Sequence, residues 1–281
     1  MQNPSALLYQ EWDIAVSDPQ QRDILIAQLS ELGFDGFEEI SGTLKACGLP
    51  ENIGAEAAQA LLTQSGLLYE VREIAPQNWN ALWEESFEPV CIGDFCRIRA
   101  HFHPSEAGCF AHEICITPKM SFGTGHHATT RSMILQMQKL DFSGKRVLDF
   151  GAGTGVLAIL AEKLGAATVI AIENDAGAVE NARENAVQNA CERIGILEGS
   201  LEKAGETPFQ IVLANINRNV LLQYGSELAD RTTAGGQLLL SGILREDEAL
   251  LRASFESVGF LFAEGVYEGN WACLLFTKKQ Q

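Results

Sequence analysis

The first 75 residues alternate between two spacings of apolar residues. Trp12, Ile14 and Val16 alternate with polar residues, which predicts a half-buried strand. A helical spacing follows from position 24 to 32 and ends at a glycine. Two short strands, a second helix and a last strand are then predicted at 37–40, 44–47, 51–64 and 67–74. The order βαββαβ predicts a small ferredoxin-like α+β domain in residues 1–75.

A short linker helix is predicted for residues 76–87. Pro76 marks its beginning, and Trp79 and Trp83 are spaced so that both lie on one helix face. We expect this aromatic pair to pack against the core between two domains.

The remaining residues, 88–281, predict an α/β domain. From Lys145 onward apolar strands alternate with helices, which predicts a mostly parallel sheet covered on both faces. Residues 220–228 carry apolar side chains on one helix face, and 238–240 form a short apolar strand. Two last strands, at 260–267 and 271–276, are close enough to form an antiparallel hairpin at the sheet edge.

The charge of the chain is strongly negative and unevenly distributed. It has 20 Lys and Arg against 37 Asp and Glu, a net charge of −17. Residues 1–86 carry −11 of this, with 3 basic and 14 acidic residues. An acidic chain is a poor binder of nucleic acids or of an anionic membrane, since both need a basic surface. The acidic first third fits either solubility or the docking of a basic partner.

The cysteines and the first residues favour a cytoplasmic protein with reduced thiols. There are seven cysteines, an odd number, without a Cys-x-x-Cys pair. Residues 1–10 contain no basic residue and only a short apolar run, unlike a signal peptide. No stretch approaches the roughly 20 apolar residues that a membrane span needs.

All five histidines lie between positions 101 and 127, and several have cysteines nearby. Five residues have the character of metal ligands, namely His101, His103, Cys109, His112 and Cys115. Their spacing matches no recognised zinc pattern, and they fall on two predicted strands, 97–102 and 113–117, and the loop that joins them. We therefore expect no metal.

A glycine loop at 151–155 is the strongest single motif. The strand Arg146–Phe150 runs into Gly151-Ala152-Gly153-Thr154-Gly155 and then into a helix. Glycines at such a turn let a ligand approach main-chain N–H groups. Val156 stands where the dinucleotide fingerprint requires its last glycine, which counts against an NAD enzyme. The remaining pattern, acid-x-Gly-x-Gly-x-Gly, resembles motif I of S-adenosylmethionine-dependent methyltransferases.

Two acids follow the next strand, and either could bind ribose hydroxyls. Glu173 directly follows the apolar residues 169–172, whereas Asp175 has the position of a helix N-cap. We therefore assign the ribose to Glu173, although NAD enzymes also use an acid near this place.

Asn215 ends the fourth strand, where ligands of open α/β sheets bind. Methyltransferases that act on nitrogen often carry Asn-Pro-Pro-aromatic here, and this chain has Asn-Ile-Asn-Arg. The segment 121–130 precedes the glycine loop with two glycines, two histidines and several hydroxyl groups. Thr129 or Thr130 is expected to cap the helix that follows or to contact a cofactor, and His126 and His127 to shape the loop.

Together these motifs resemble those of the ribosomal protein L11 methyltransferase family. The resemblance rests on Phe-Gly-Thr-Gly-His-His-x-Thr-Thr at 122–130, on the glycine loop and on Ala-Asn-Ile at 214–216. It implies a ferredoxin-like substrate-recognition domain, a linker helix and a seven-stranded Rossmann-like catalytic domain. It also implies cofactor contacts at Thr130, Gly151, Glu173 and Asn215, with Gly153 in the same loop. The family often has Asp at the place of Glu173 and a different sequence after Asn215.

The resemblance implies S-adenosylmethionine as cofactor and a basic protein of the large ribosomal subunit, at the stalk base, as substrate. Electrostatic steering of that substrate then explains the acidic first third as well as solubility does. We expect Asn215 to orient the target amine, an α-amine or a lysine, for direct methyl transfer. Methylation of another protein or a small amine, a non-catalytic cofactor-binding module and an NAD-linked oxidoreductase are the competing interpretations.

Overall fold

The computed structural model describes residues 9–34, 36–40, 42–74, 87–106, 108–119 and 121–280. The chain divides into two compact units, residues 1–86 and 87–281. The linker helix predicted for 76–87 lies outside the described residues except for Phe87.

The first unit is a four-stranded antiparallel sheet with two helices. Its strands lie in the order β2-β3-β1-β4, which is the ferredoxin-like arrangement expected from the sequence. Its elements are β1 (Tyr9–Ala15), α1 (Pro19–Glu31), β2 (Gly36–Ile40), β3 (Thr43–Gly48), α2 (Ala55–Gln64) and β4 (Tyr69–Ile74).

The two faces of this first sheet differ in polarity because side chains alternate along each strand. Trp12 of β1 is buried with Leu44 of β3 and the helix residue Leu29. The intervening residues Glu11 and Asp13 of β1 are acidic and form ion pairs with basic side chains of the neighbouring strands. Glu11 Oε1 lies 3.2 Å from Lys45 Nζ and 3.1 Å from Arg72 Nε.

The second unit begins with a small three-stranded sheet. Its strands are β5 (Val90–Ile92), β6 (Cys96–Ala100) and β7 (His112–Ile116), in the order β5-β6-β7. β6 and β7 begin one residue earlier than predicted and end one or two residues earlier. They pair in parallel, because the loop between them returns the chain to the same end of the sheet.

The main body of the second unit is a seven-stranded sheet in the order β10-β9-β8-β11-β12-β14-β13. β14 runs antiparallel to its two neighbours, and the other adjacent pairs are parallel. The last two strands form the predicted edge hairpin. The elements are α3 (Ala128–Met137), β8 (Arg146–Phe150), α4 (Val156–Lys163), β9 (Thr168–Glu173), α5 (Ala176–Gln188), β10 (Ile194–Glu198), β11 (Phe209–Asn215), α6 (Arg218–Gln223), α7 (Gly225–Asp230), β12 (Thr232–Leu244), α8 (Glu248–Ser257), β13 (Phe260–Glu268) and β14 (Trp271–Lys278).

Apolar residues cover both faces of this sheet, as predicted. One buried cluster combines Val147 and Leu213 of the sheet with Met133 of α3 and Ile159 of α4. A second cluster on the opposite face combines alternate strand residues with α6, α7 and α8. Because both faces are covered, ligands reach the sheet at its ends.

Several elements differ from the predicted ones, since α2 begins at Ala55 rather than 51, and two others differ more strongly. The helix expected over 220–228 is two helices that meet at Tyr224, whose ring lies against Phe150 with centroids 5.2 Å apart. β12 runs over 13 residues rather than three, since polar residues on both sides of the apolar run also pair with β11, and the pairing with β14 continues to Leu244.

Within the described ranges, every helix falls short of the length and apolar character that crossing a membrane requires.

Candidate active site

A cavity of about 450 Å³ opens beyond the carboxyl ends of strands β8 to β11. This is where ligands bind in open α/β sheets, and the volume lies in the usual range for small-molecule sites. The lining residues come from the ends of these strands and from α6, with one contribution from the segment before α3. They are Phe122, Phe150, Gly151, Gly153, Ile172, Glu173, Asn174, Gly199, Ser200, Asn215, Ile216, Asn217, Val220, Gln223 and Tyr224.

The glycine loop forms one wall of the cavity. At two of its positions there is no room for a residue larger than glycine. Gly151 and Gly153 have φ of +81° and +54°, a region that favours glycine. A Cβ on Gly151 would lie 2.1 Å from Ile216 Cγ2, and one on Gly153 would lie 2.3 Å from the Phe122 carbonyl oxygen. The main chain of the loop is therefore held close to the segments on either side of the cavity.

The segment before α3 packs directly on the glycine loop. Thr154 N donates to the Phe122 carbonyl at 2.9 Å, and Thr154 Oγ1 donates to the Gly123 carbonyl at 2.7 Å. The two motifs singled out in the sequence thus form one structure, and half-exposed Phe122 lies at the rim of the cavity.

Glu173 lies at the end of β9 with its carboxylate beside the loop. Oε2 accepts from Gly153 N at 2.9 Å, and Oε1 accepts from Asn174 N and Asp175 N at 2.8 and 3.1 Å. Asp175 has the predicted capping role, since its Oδ1 accepts from Ala178 N at 2.7 Å at the start of α5. Glu173 is therefore the acid that lines the cavity.

Asn215 and Thr130 meet at the end of β11. Asn215 is 9% exposed and lines the cavity, whereas Thr130 is fully buried behind it. Asn215 Nδ2 donates to Thr130 Oγ1 at 3.4 Å, and Asn215 Oδ1 has no partner among the described residues. Four of the five expected cofactor residues line the cavity, namely Gly151, Gly153, Glu173 and Asn215. Thr130 does not line it but contacts Asn215.

Neither threonine caps α3, so of the two roles expected for them only contact with a cofactor is left as a prediction. His127 is the N-cap, and its Nδ1 accepts from Thr129 N at 3.3 Å, because Thr129 already lies in the first turn of the helix. His126 holds the preceding loop through Thr124 Oγ1 and the Glu88 carbonyl, each 3.0 Å from a ring nitrogen.

Asp149, the acid of the glycine motif, is completely buried beneath the loop. Its Oδ2 accepts from Ala158 N of α4 at 3.1 Å, and its Oδ1 has no partner within the described part of the chain. Burial, with a smaller contribution from the negative charge of Glu173, raises the pKa of Asp149 from 3.8 to about 7.

The histidines and cysteines at 101–115 surround an ion-pair cluster. Glu113 Oε2 lies 2.9 Å from Arg97, and its Oε1 lies 2.9 Å from Arg99. Burial raises the pKa of Glu113, but hydrogen bonds from Ser105, the two arginines and the Glu106 N–H outweigh it and bring the pKa to about 2. Among the residues that the structure describes, no group of three metal-ligating side chains is suitably placed to hold an ion.

Sequence reasoning missed the far end of the cavity. Gly199 and Ser200 follow β10, and Ser200 Oγ donates to Tyr224 Oη at 2.8 Å. Gly199 and Ser200 could have been predicted as lining residues, because they directly follow a parallel strand of the sheet. Nothing in the local sequence indicates that Tyr224 lines the cavity, because the break between α6 and α7 that turns it toward Phe150 depends on tertiary contacts.

Comparison with known proteins identifies the family to which this architecture belongs. The family model described as ribosomal protein L11 methyltransferase matches residues 12–279. The chain belongs to this family. It is 42% identical over 262 residues to the ribosomal protein L11 methyltransferase of Porphyromonas gingivalis, an alignment that covers 91% of this chain and 90% of that protein.

A second relative and a solved structure agree. The ribosomal protein L11 methyltransferase of Chlorobaculum tepidum is 38% identical over 274 residues, covering 93% of this chain and 94% of that protein. A crystal structure of the ribosomal protein L11 methylase from Lactobacillus delbrueckii subsp. bulgaricus matches with a TM-score of 0.65 and 25% identity, covering 69% of this chain and 100% of that chain. The expected family, fold class and enzyme class are confirmed, and the chain is a protein methyltransferase.

Proposed function

We propose that this member of the ribosomal protein L11 methyltransferase family uses S-adenosylmethionine to methylate amino groups of ribosomal protein L11. The names of the relatives support the substrate. The observation that carries the chemistry is the unpaired Oδ1 of Asn215, an acceptor in the wall of the cavity beside the glycine loop. A nearly buried amide oxygen without a partner is unfavourable unless a ligand donates to it.

The residues of the cavity fit the cofactor. Main-chain groups of Gly151 and Gly153 would hold its amino-acid part, and these would be carbonyl oxygens, because the two N–H groups already donate to the Ile172 carbonyl and to Glu173 Oε2. The carboxylate of Glu173 would accept from the ribose hydroxyls, because Oε2 accepts a single N–H and keeps a free lone pair. Ser200 and Tyr224 border the far end, where the base would lie. When bound, S-adenosylmethionine supplies an electrophilic methyl group.

Asn215 would orient the attacking amine and Thr130 would hold Asn215. Because Nδ2 donates to Thr130 Oγ1, the amide oxygen of Asn215 is left without a partner among the described residues and is free to accept an N–H. Such alignment lowers the barrier by fixing the geometry before the reaction. Thr130 is thus a cofactor-site residue that acts through Asn215.

Deprotonation of the amine would need little help from the protein. Glu173 is the carboxylate that lines the cavity, and its oxygens already accept three N–H groups. An α-amine, with a usual pKa near 7.7–8.0, loses its proton readily, while lysine, near 10.4, depends on burial to lower its pKa. We propose that water takes the proton.

The first unit would recognise the substrate, and the enzyme would work in the cytoplasm. The acidic excess of residues 1–86 complements a basic ribosomal protein. All seven cysteines lie within the described ranges and none of them forms a disulfide, which suits a reducing compartment.

The test is incubation of the purified full-length enzyme with methyl-labelled S-adenosylmethionine and either purified L11 or a bacterial lysate. We expect one labelled protein in the lysate, of the same size as L11, and no label with the Asn215→Ala variant. Asn219→Ala, which alters a nearby exposed asparagine, is the control and should label normally. Label on another species, or none, would contradict the proposed substrate, and normal turnover by Asn215→Ala would contradict the role of Asn215.

A further inference from the structure

Asparagines on one face of α5 and at its C-cap bond to β7, to the residue after it and to the glycine loop. Asn181, Asn185 and Asn189 are spaced by four residues and therefore share one helix face. Asn181 and Asn185 are fully buried, and Asn189 is half-buried. Asparagine is a poor helix former, so its presence at two buried positions within α5 is best explained by the contacts that its side chain makes there.

Asn185 joins two segments that are distant in sequence. Its Oδ1 accepts from Thr117 N at 2.7 Å, just after β7, and its Nδ2 donates to the Thr154 carbonyl at 2.9 Å, in the glycine loop. Two further side chains of α5 hold Thr117, since Asn181 Nδ2 donates to its carbonyl at 2.9 Å and Gln188 Nε2 donates to its hydroxyl at 2.6 Å.

These contacts form a closed ring of hydrogen bonds that joins α5, the end of β7 and the glycine loop, and one residue of the joined segment, Phe122, lines the cavity. The segment from Thr117 to Gly123 is anchored at its first residue by Asn185. Its last two residues are anchored by Thr154, through the Phe122 and Gly123 carbonyls. Asn185 completes the ring because it also binds the Thr154 carbonyl. Thr154 itself holds Phe122 on the glycine loop, and the buried amide of Asn185 ties Thr154 to α5 and to Thr117.

We infer that Asn185 is a positioning residue for the cofactor site, acting through Thr154 and Phe122 without touching the ligand. The inference rests on the proposed use of S-adenosylmethionine. Loss of the Asn185 side chain removes the bond from α5 to the Thr154 carbonyl and one of the anchors of Thr117, so that the segment around Thr154 and Phe122 is less well fixed before the ligand arrives. The cost of ordering this segment is then added to binding.

Asn189 provides a matched control. It makes the same pair of bonds one turn farther along the helix, with its Oδ1 accepting from Cys115 N at 3.0 Å and its Nδ2 donating to the Cys115 carbonyl at 2.6 Å. It contacts β7 as Asn185 contacts Thr117, but it has no bond to the glycine loop. Both asparagines attach this end of α5 to β7 or to the residue that follows it, and Asn185 differs by its additional bond to the glycine loop.

The test compares Asn185→Ala and Asn189→Ala in the full-length protein. Calorimetry with S-adenosylhomocysteine, the demethylated cofactor, should show a Kd raised about tenfold in Asn185→Ala and unchanged in Asn189→Ala. The KM for S-adenosylmethionine should rise by a similar factor, with kcat at saturation nearly unchanged. In protein without ligand, amide hydrogen exchange at Thr154 should accelerate in Asn185→Ala alone.

Equal effects of the two variants on Kd and exchange would overturn the inference, whereas failure of the wild type to bind S-adenosylhomocysteine would instead contradict the proposed cofactor. If Asn185→Ala does not fold, Thr154→Val breaks the same ring at the Gly123 carbonyl. It should raise Kd, and Thr154→Ser should restore it. An unchanged Kd in Thr154→Val would also overturn the inference.

Discussion

Glu173 and Asp175 are two residues apart, and their carboxylates have different partners. The carboxylate of Glu173 borders the cavity, while that of Asp175 binds only the first turn of α5 in the contacts described above. Substitution should therefore separate ligand binding from stability.

Glu173→Ala should weaken S-adenosylhomocysteine binding by about 10- to 100-fold, because a hydrogen bond between a charged acceptor and the ligand contributes about 1.5–3 kcal/mol. Asp175→Ala should keep its affinity and lose about 1 kcal/mol of unfolding free energy with the helix cap. Calorimetry and urea unfolding of both variants check this. Weaker ligand binding by Asp175→Ala than by Glu173→Ala would reverse the assignment.

Asp149 makes the stability of the protein depend on pH. Its pKa is raised in the folded protein from 3.8 to about 7, so between these values the folded state holds a proton that the unfolded state releases. The contribution of Asp149 to stability must therefore fall as pH rises through this window, and the loss is complete above about pH 7.

Asp149→Asn should remove this dependence while keeping an acceptor for Ala158 N. Between about pH 5 and about pH 8, the Tm of the wild type should fall more than that of the variant. Scanning calorimetry at both values measures the difference. Parallel changes in the two proteins would show that Asp149 does not titrate in this range.

At the scale of elements, the glycine loop depends on its contact with the segment before α3. Gly153 and Gly144 both have positive φ, +54° and +68°, but a Cβ on Gly153 would meet the Phe122 carbonyl, whereas Gly144 has open space around it. Backbone strain is thus common to both positions, and the close approach is specific to Gly153.

Gly144→Ala should lose about 1–2 kcal/mol of unfolding free energy from the strain alone. Gly153→Ala should lose more and should also bind S-adenosylhomocysteine more weakly, since Phe122 must move. Chemical unfolding and calorimetry on the two variants provide the comparison. Equal losses of stability and equal affinities would show that the loop tolerates a side chain.

The sequence predicted those elements whose signal is local. The apolar runs of β8 and β9, the glycines between them and the N-cap Asp175 all follow from neighbouring residues. Tyr224 and Asn185 did not, because their roles depend on contacts with Ser200 and Thr154, which are distant along the chain. The N-cap of α3 is a histidine and not one of the two threonines considered for that position.

At the scale of the whole molecule, charge is the property that separates the two units. Residues 1–86 carry −11 and residues 87–281 carry −6. If the first unit steers a basic substrate, the association rate should fall as salt screens the field.

Replacing exposed Glu51, Glu70 and Glu73 by Gln should lower kcat/KM for L11 about threefold to tenfold at low salt. Raising the ionic strength should remove the difference from wild type. A control with Glu206, Glu227 and Glu256 replaced by Gln makes the same charge change in the second unit and should have little effect. Methylation rates that do not respond to salt would leave solubility as the explanation of the acidic first unit.

The asparagines of α5 and its C-cap also close the edge of a sheet. Residues 115 and 117 direct their main-chain groups away from β6, where a further strand would otherwise add, and the amides of Asn181, Asn185 and Asn189 pair with these groups. Side-chain amides thereby bond the main-chain N–H and C=O groups that a neighbouring β-strand would otherwise bond. Unlike a strand, they leave no further row of unpaired main-chain groups. The small sheet is thus protected on this side from pairing with another chain, which is how exposed strands begin to aggregate.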